Sequence, residues 1–228
     1  MGKAMSLLDK TTDILSKITK LPTDIYGLKH LPTFEPHKLS DDFPPDDTDW
    51  LGAPDSHPPL HFTPLDCDAL TYAYNKLTSP PKLIVEIGVN RSESEVSSTS
   101  TLLKLKPQEC MYIGIDIVDG SAINNFENNV FTLRNNSNEH EKLYQLMNWH
   151  NHKQIDFMFV DGWHSVNQVI KEWKYWEKMI ANGVMAFHDT NYHPGPVALL
   201  DAIDTDIFSV EYFGRGEADW GVGVMQRL

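Results

Sequence analysis

The chain has 228 residues, 41% hydrophobic and 11% aromatic, which suffices for one α/β core plus an extended arm and excludes two full-sized domains or wholesale disorder. A formal net charge of -13 disfavours a nucleic-acid partner, because so negative a surface repels phosphate. The only two cysteines, Cys67 and Cys110, form no C-x-x-C pair, which argues against a disulfide scaffold or thiolate zinc site and for a cytoplasmic setting.

In chain order, Leu7, Leu8, Ile14, Leu15 and Ile18 predict a short amphipathic helix over 5–19. No apolar run is long enough to cross a bilayer, so no membrane partner is expected. Gly2 and Ser6 satisfy a myristoylation pattern, but one so short that it recurs by chance. From Leu31 to Pro64 the chain is acidic and Pro-rich (Pro32, Pro36, Pro44, Pro45, Pro54, Pro58, Pro59), which cannot sustain a helix or a central strand. We divide the chain into this helix and arm, 1–64, and a core, 65–228. Arms of this kind often embrace a second subunit, so a homo-oligomer is the expectation.

A helix is predicted over Asp66–Leu77, closed by Ser79-Pro80-Pro81; strands and helices then alternate, the signature of a parallel sheet. Strands are expected at Leu83–Val89, Met111–Ile117, Val130–Leu133, Ile155–Asp161, Val184–Asp189, Ile207–Phe213 and Gly221–Gln226. Helices are expected near Ser97–Leu105, Glu139–Trp149, Val166–Ile180 and Val197–Ala202. The helix from Val166 has Ser165 and Gln168 as a capping box, Asn182-Gly183 as its stop, and an apolar face of Val166, Val169, Ile170, Trp173, Trp176 and Ile180. The last two strands are joined by Gly214-Arg215-Gly216-Glu217, too short for a crossover, so they pair antiparallel. The fold class is thus a Rossmann-like three-layer α/β sandwich, with a mostly parallel seven-stranded sheet and an antiparallel C-terminal strand.

In open α/β sheets ligands bind beyond the carboxyl ends of the strands, so the residues that end each strand carry the functional reading. The first strand ends in Glu86, Ile87 and Gly88, and a glycine there lets a ligand approach the backbone closely. The second ends in Asp116, placed to accept hydrogen bonds from two ribose hydroxyls. The third leads to Asn135, Asn136 and Ser137, whose polar groups suit an adenine edge and are equally ordinary in turns. The fourth ends Asp161-Gly162-Trp163-His164 and the fifth His188-Asp189-Thr190. If those two strands are neighbours, two aspartates and two histidines converge, a donor set for a divalent ion such as Mg2+ or Mn2+. His164 just precedes a helix N-terminus, whose dipole is expected to keep the ring neutral and available as a general base. Trp163 could stack on an acceptor ring or simply cover the sheet edge.

The run Ile155 to Ser165 (IDFMFVDGWHS), the capped helix, and Asn182 to Thr190 (NGVMAFHDT) resemble the "methyltransferase 24" group of class I methyltransferases, similar to metal-dependent sugar and catechol-type O-methyltransferases. The resemblance spans roughly Leu83 to Leu228. It implies S-adenosylmethionine as methyl donor, held through Glu86, Gly88 and Asp116, with Asn136, Ser137 and Asp161 completing the pocket. It further implies a divalent ion, Mg2+ or another, on Asp161, His188 and Asp189, with His164 as the base. The acceptor would be a hydroxyl of a small molecule or sugar. One departure stands out: the loop from Val89 to Val96 has no glycine and carries Glu93 and Glu95. That feature favours the alternative of a non-catalytic methyltransferase-like domain with an assembly or binding role. A nicotinamide-dependent oxidoreductase is a third reading, opposed by the missing G-x-G-x-x-G.

Overall fold

The computed structural model describes residues 27–30, 62–89, 96–215 and 219–228. The expected helix at 5–19, nearly all of the Pro-rich arm and loop residues 90–95 lie outside the described residues. The short piece 27–30 docks on the core: Leu28 forms an antiparallel bridge with Ile203, and Lys29 N donates to Ala202 O at 2.7 Å.

Helix α1, Pro64–Asn75, begins with proline in its first turn and with a reciprocal cap between Thr63 and Asp66, where the free N–H groups need acceptors. Strand β1, Leu83–Ile87, is buried at every position, as a central parallel strand covered on both faces must be. There follow α2 (Ser98–Leu105), β2 (Met111–Asp116), β3 (Val130–Arg134), α3 (His140–Trp149), β4 (Ile155–Val160) and α4 (Val166–Trp173). The chain ends with β5 (Met179–His188), α5 (Pro194–Ala202), β6 (Phe208–Phe213) and β7 (Val222–Arg227).

The strands form one seven-stranded sheet in the order β3-β2-β1-β4-β5-β7-β6. All pairings from β3 to β5 are parallel, and β7 inserts between β5 and β6 antiparallel to both. Because side chains alternate across a strand, Leu83, Val85 and Ile87 pack on one face with Leu143, Met147, Trp173 and Leu199. Ile84 packs on the other with Leu70, Ala73 and Leu102. Helices α3, α4 and α5 therefore cover one face, and α1 and α2 the other. All seven strands and the antiparallel ending agree with the sequence reading, as does the three-layer class.

One helix differs. The segment expected to run from Val166 to Ile180 is α-helical only to Trp173, then tightens into a 3-10 turn at Lys174–Lys178, and Met179 already belongs to β5. Trp173 and Trp176 stack in this turn, their centroids 5.4 Å apart at 17°, and both meet Phe208 edge-on. The three-residue repeat of the tighter helix superimposes side chains at i and i+3 and so brings the two indoles into register. Asn182-Gly183 is consequently no helix stop but lies inside β5, beside a register shift against β4 between Ile155 and Phe157. The capping box is also only half formed. Ser165 accepts from Gln168 N, but the Gln168 side chain turns to Ser137 and Glu172 instead of back to the cap.

Candidate active site

The topology places the ends of β2, β1, β4 and β5 side by side, so Asp116, Gly88, Asp161 and Asp189 share one rim. Gly88 N donates to Ile115 O and Asp161 N to Ile87 O, both at 2.9 Å, which stitches the three central strand ends together. Gly88 has φ +84°, and a Cβ there would sit 2.0 Å from the Asp161 carbonyl oxygen. Only glycine satisfies both the left-handed backbone and the close approach.

A cleft opens along this rim, lined among others by Gly88, Asp116, Asn136, Ser137, Gly162 and Trp163. Asp116 is fixed at its mouth: one carboxylate oxygen accepts from Val89 N at 2.9 Å and the other from Val118 N at 2.8 Å. At the far end, Ser137 Oγ donates to Glu172 Oε1 at 2.6 Å and accepts from Gln168 Nε2 at 2.6 Å. Glu172 is fully buried, and burial raises its carboxyl to about 7 in spite of the hydrogen bonds it accepts from Ser137 and Gln168. Glu86, expected as a donor contact, does not line the cleft. It points to the α1/α2 face, where Thr99 and Tyr112 hydroxyls donate to its Oε2, because its neighbours Ile87 and Val85 take the opposite face.

Next to the cleft, β4 and β5 are neighbours, and their ends bring together the residues that the sequence singles out. His188 Nδ1 lies 3.4 Å from Asp161 Oδ1 and 3.2 Å from Asp189 Oδ2; His164 Nε2 lies 2.8 Å from Asp189 Oδ2 and 3.6 Å from Asp161 Oδ1. Asp189 holds its position with φ +61°, a left-handed conformation that aspartate tolerates at a cost and that recurs at functional sites. Asp161, His188 and Asp189 each offer one ligand atom within a mutual 4.8 Å. The donor chemistry fits a divalent ion: His188 Nδ1 and His164 Nε2 are buried beside the two carboxylates yet aligned with no hydrogen-bond acceptor. Separations near 3 Å between such atoms match neighbouring ligands around one ion with bonds of roughly 2.1 Å.

The electrostatics correct one expectation. Burial opposes charge on His164, but the Asp189 and Asp161 carboxylates outweigh it and raise the ring to about 9. A helix dipole amounts to roughly half a charge. Two full carboxylates overcome it, so with no cation beside them the ring is protonated at neutral pH. The same pair holds His188 well above the ordinary histidine range against the opposing effect of burial.

Two neighbours were not read from the sequence. His193, at the N-terminus of α5, forms a second potential ligand group with His164 and Asp189, its ring 4.0 Å from that of His164. Burial, with the charge of His164, lowers it to about 4. Asp66 reaches in from α1, its Oδ2 3.2 Å from His188 Nε2. His193 follows the end of β5 closely enough to have been suspected from its spacing. Nothing local in the sequence marks Asp66, whose position depends on how α1 crosses the sheet.

The profile of the "Rhamnosyl O-methyltransferase/CmcI" family matches residues 48–206, more than half of the chain. The chain belongs to that family. That family is one of O-methyltransferases. No curated protein matches its sequence. Among solved structures, it resembles MycE methyltransferase from the mycinamycin biosynthetic pathway in complex with Mg, SAH and mycinamycin VI. The two are 16% identical, with TM-score 0.52, over 70% of this chain and 48% of MycE. It also resembles the O-methyltransferase TomG from Streptomyces achromogenes in complex with SAM, at 11% identity and TM-score 0.50, over 75% of this chain and 82% of TomG. At these identities the likeness is one of fold, and the chain spans about half the length of MycE. No helix among the described residues is long and apolar enough to cross a membrane.

Proposed function

We propose that this chain transfers a methyl group from S-adenosylmethionine to a hydroxyl oxygen of a small molecule or sugar. One observation carries the reading: the cleft lined by Gly88, Asp116, Asn136 and Ser137 abuts the Asp161, His164, His188 and Asp189 cluster through Gly162 and Trp163, so a donor and an acceptor can meet. In this reading Gly88 leaves room for the donor against the backbone, Asp116 accepts from its ribose, and Asn136 and Ser137 meet its adenine end. Asp161, which like Glu86 does not line the cleft, would with His188 and Asp189 hold a divalent ion. The donor supplies a methyl group on a good leaving group, and the ion, when bound, favours the ionised acceptor hydroxyl. With an ion offsetting the two carboxylates that otherwise keep its ring protonated, His164 would take the acceptor proton at Nε2, the nitrogen that faces both of them. Trp163 offers a flat surface for the acceptor ring. The Rhamnosyl O-methyltransferase/CmcI family match and the MycE complex with Mg, SAH and mycinamycin VI support this reading.

The test pairs calorimetry with turnover. His164→Ala is expected to bind S-adenosylmethionine as wild type does but to release S-adenosylhomocysteine at least about a hundredfold more slowly across a panel of sugars and glycosides. Undiminished turnover would remove His164 from the mechanism. Absence of donor binding would return the chain to a non-catalytic role, and full activity after exhaustive chelation would exclude the ion.

A further inference from the structure

The ligand cluster is richer in nitrogen than its two strand ends alone imply. Two potential ligand groups share Asp189: one is Asp161, His188 and Asp189, and the other is His164, Asp189 and His193. His188 is 2% exposed, and its two nitrogens face different partners. Nδ1 looks to Asp161 and Asp189, whereas Nε2 looks to Asp66. Asp66 is itself fixed, because Oδ2 accepts from Thr63 N at 2.7 Å and from Thr63 Oγ1 at 2.9 Å, and that hydroxyl also lies 2.8 Å from Asp219. A buried carboxylate behind the remote nitrogen of a ligating histidine sets its tautomer and orientation and raises its basicity.

We propose that the site selects an imidazole-binding ion of the Mn2+ to Zn2+ series over Mg2+, with His188 Nδ1 as the selecting ligand and Asp66 as the residue that positions it. The inference rests on the metal reading above. Its chemical basis is that Mg2+ prefers oxygen and keeps its waters, whereas the later first-row ions gain from each imidazole nitrogen. A neutral imidazole adds no negative charge to the ligand set, and the Asp66 carboxylate 3.2 Å behind the ring supplies one at one remove.

The test uses the full chain and four metals, Mg2+, Mn2+, Co2+ and Zn2+, titrated by calorimetry. Tighter binding of Co2+ than of Mg2+ is not decisive alone, since most sites follow that order. The decisive quantity is how the ratio responds: His188→Glu is expected to shift the Co2+ to Mg2+ affinity ratio toward Mg2+ by at least about tenfold. Asp66→Asn should weaken Co2+ binding by about 10- to 100-fold. Thr63→Ala, which removes the helix cap and keeps the carboxylate, should not. Should His188→Glu fail to fold, pulsed EPR of the Mn2+-loaded wild type reads the same claim through nitrogen hyperfine coupling. An unchanged ratio in His188→Glu, absence of nitrogen coupling, or equal losses in Thr63→Ala and Asp66→Asn would overturn the inference while leaving an ion site in place. Failure of all four ions to bind would instead remove the metal reading on which it rests.

Discussion

At Gly88 the backbone turns through φ +84°, with the Asp161 carbonyl where a side chain would begin. Gly88→Ala therefore strains the turn and pushes β1 from β4, and donor affinity is expected to fall at least about tenfold together with stability. Calorimetry and chemical denaturation would measure the two effects, and wild-type values for both would mean that the rim tolerates a Cβ. The neighbouring Glu86 makes a separate prediction. Burial drives its carboxyl up to about 7, with the charge of Asp161 adding to the rise and hydroxyls from Ser98, Tyr112 and Thr99 opposing it. A carboxyl that titrates higher in the folded than in the unfolded state contributes fully only below its unfolded value. That contribution is lost as pH climbs through about 7. Wild type should lose stability between pH 5 and pH 8 relative to Glu86→Gln, by up to about 3 kcal/mol. Parallel pH profiles would show that Glu86 ionises freely.

Among the elements, α4 shows best what a sequence encodes locally. Ser165 caps it, and Ser165→Ala is expected to cost about 1 kcal/mol in denaturant unfolding. A change below a few tenths would mean that the free N–H groups find other acceptors. The strands were legible because β1, β2 and β4 are buried at every position, and a predominantly apolar run of five or six residues bounded by turn residues admits few other readings. The end of α4 was not legible, since the apolar period continues through Trp176 while the hydrogen bonding changes to suit indole stacking. The grouping of Asp161, His188 and Asp189 could be read because each closes a strand, and strand ends of neighbouring parallel strands must meet. The contact of Asp66 with His188 could not, because it arises from packing between elements remote in the chain. Nor could the protonation of His164, which is decided by distances to carboxylates that no residue pattern specifies.

For the whole molecule, the donor cleft spans the ends of β1, β2 and β4, so a ligand bound there ties the centre of the sheet together. S-adenosylmethionine at a hundred times its dissociation constant should stabilise the fold by about 2.7 kcal/mol, visible as a raised melting temperature. A melting curve that ignores the donor would mean that the cleft does not take it. The placement of β7 carries a different consequence. It is the last of the seven strands to be made, yet it lies directly against β5, the strand whose end carries His188 and Asp189. A nascent polypeptide that stops short of Val222–Arg227 leaves β5 with an open flank beside a half-built rim. Prematurely terminated translation products are therefore expected to be inert and adhesive, and catalysis becomes a late reward of synthesis carried through those residues.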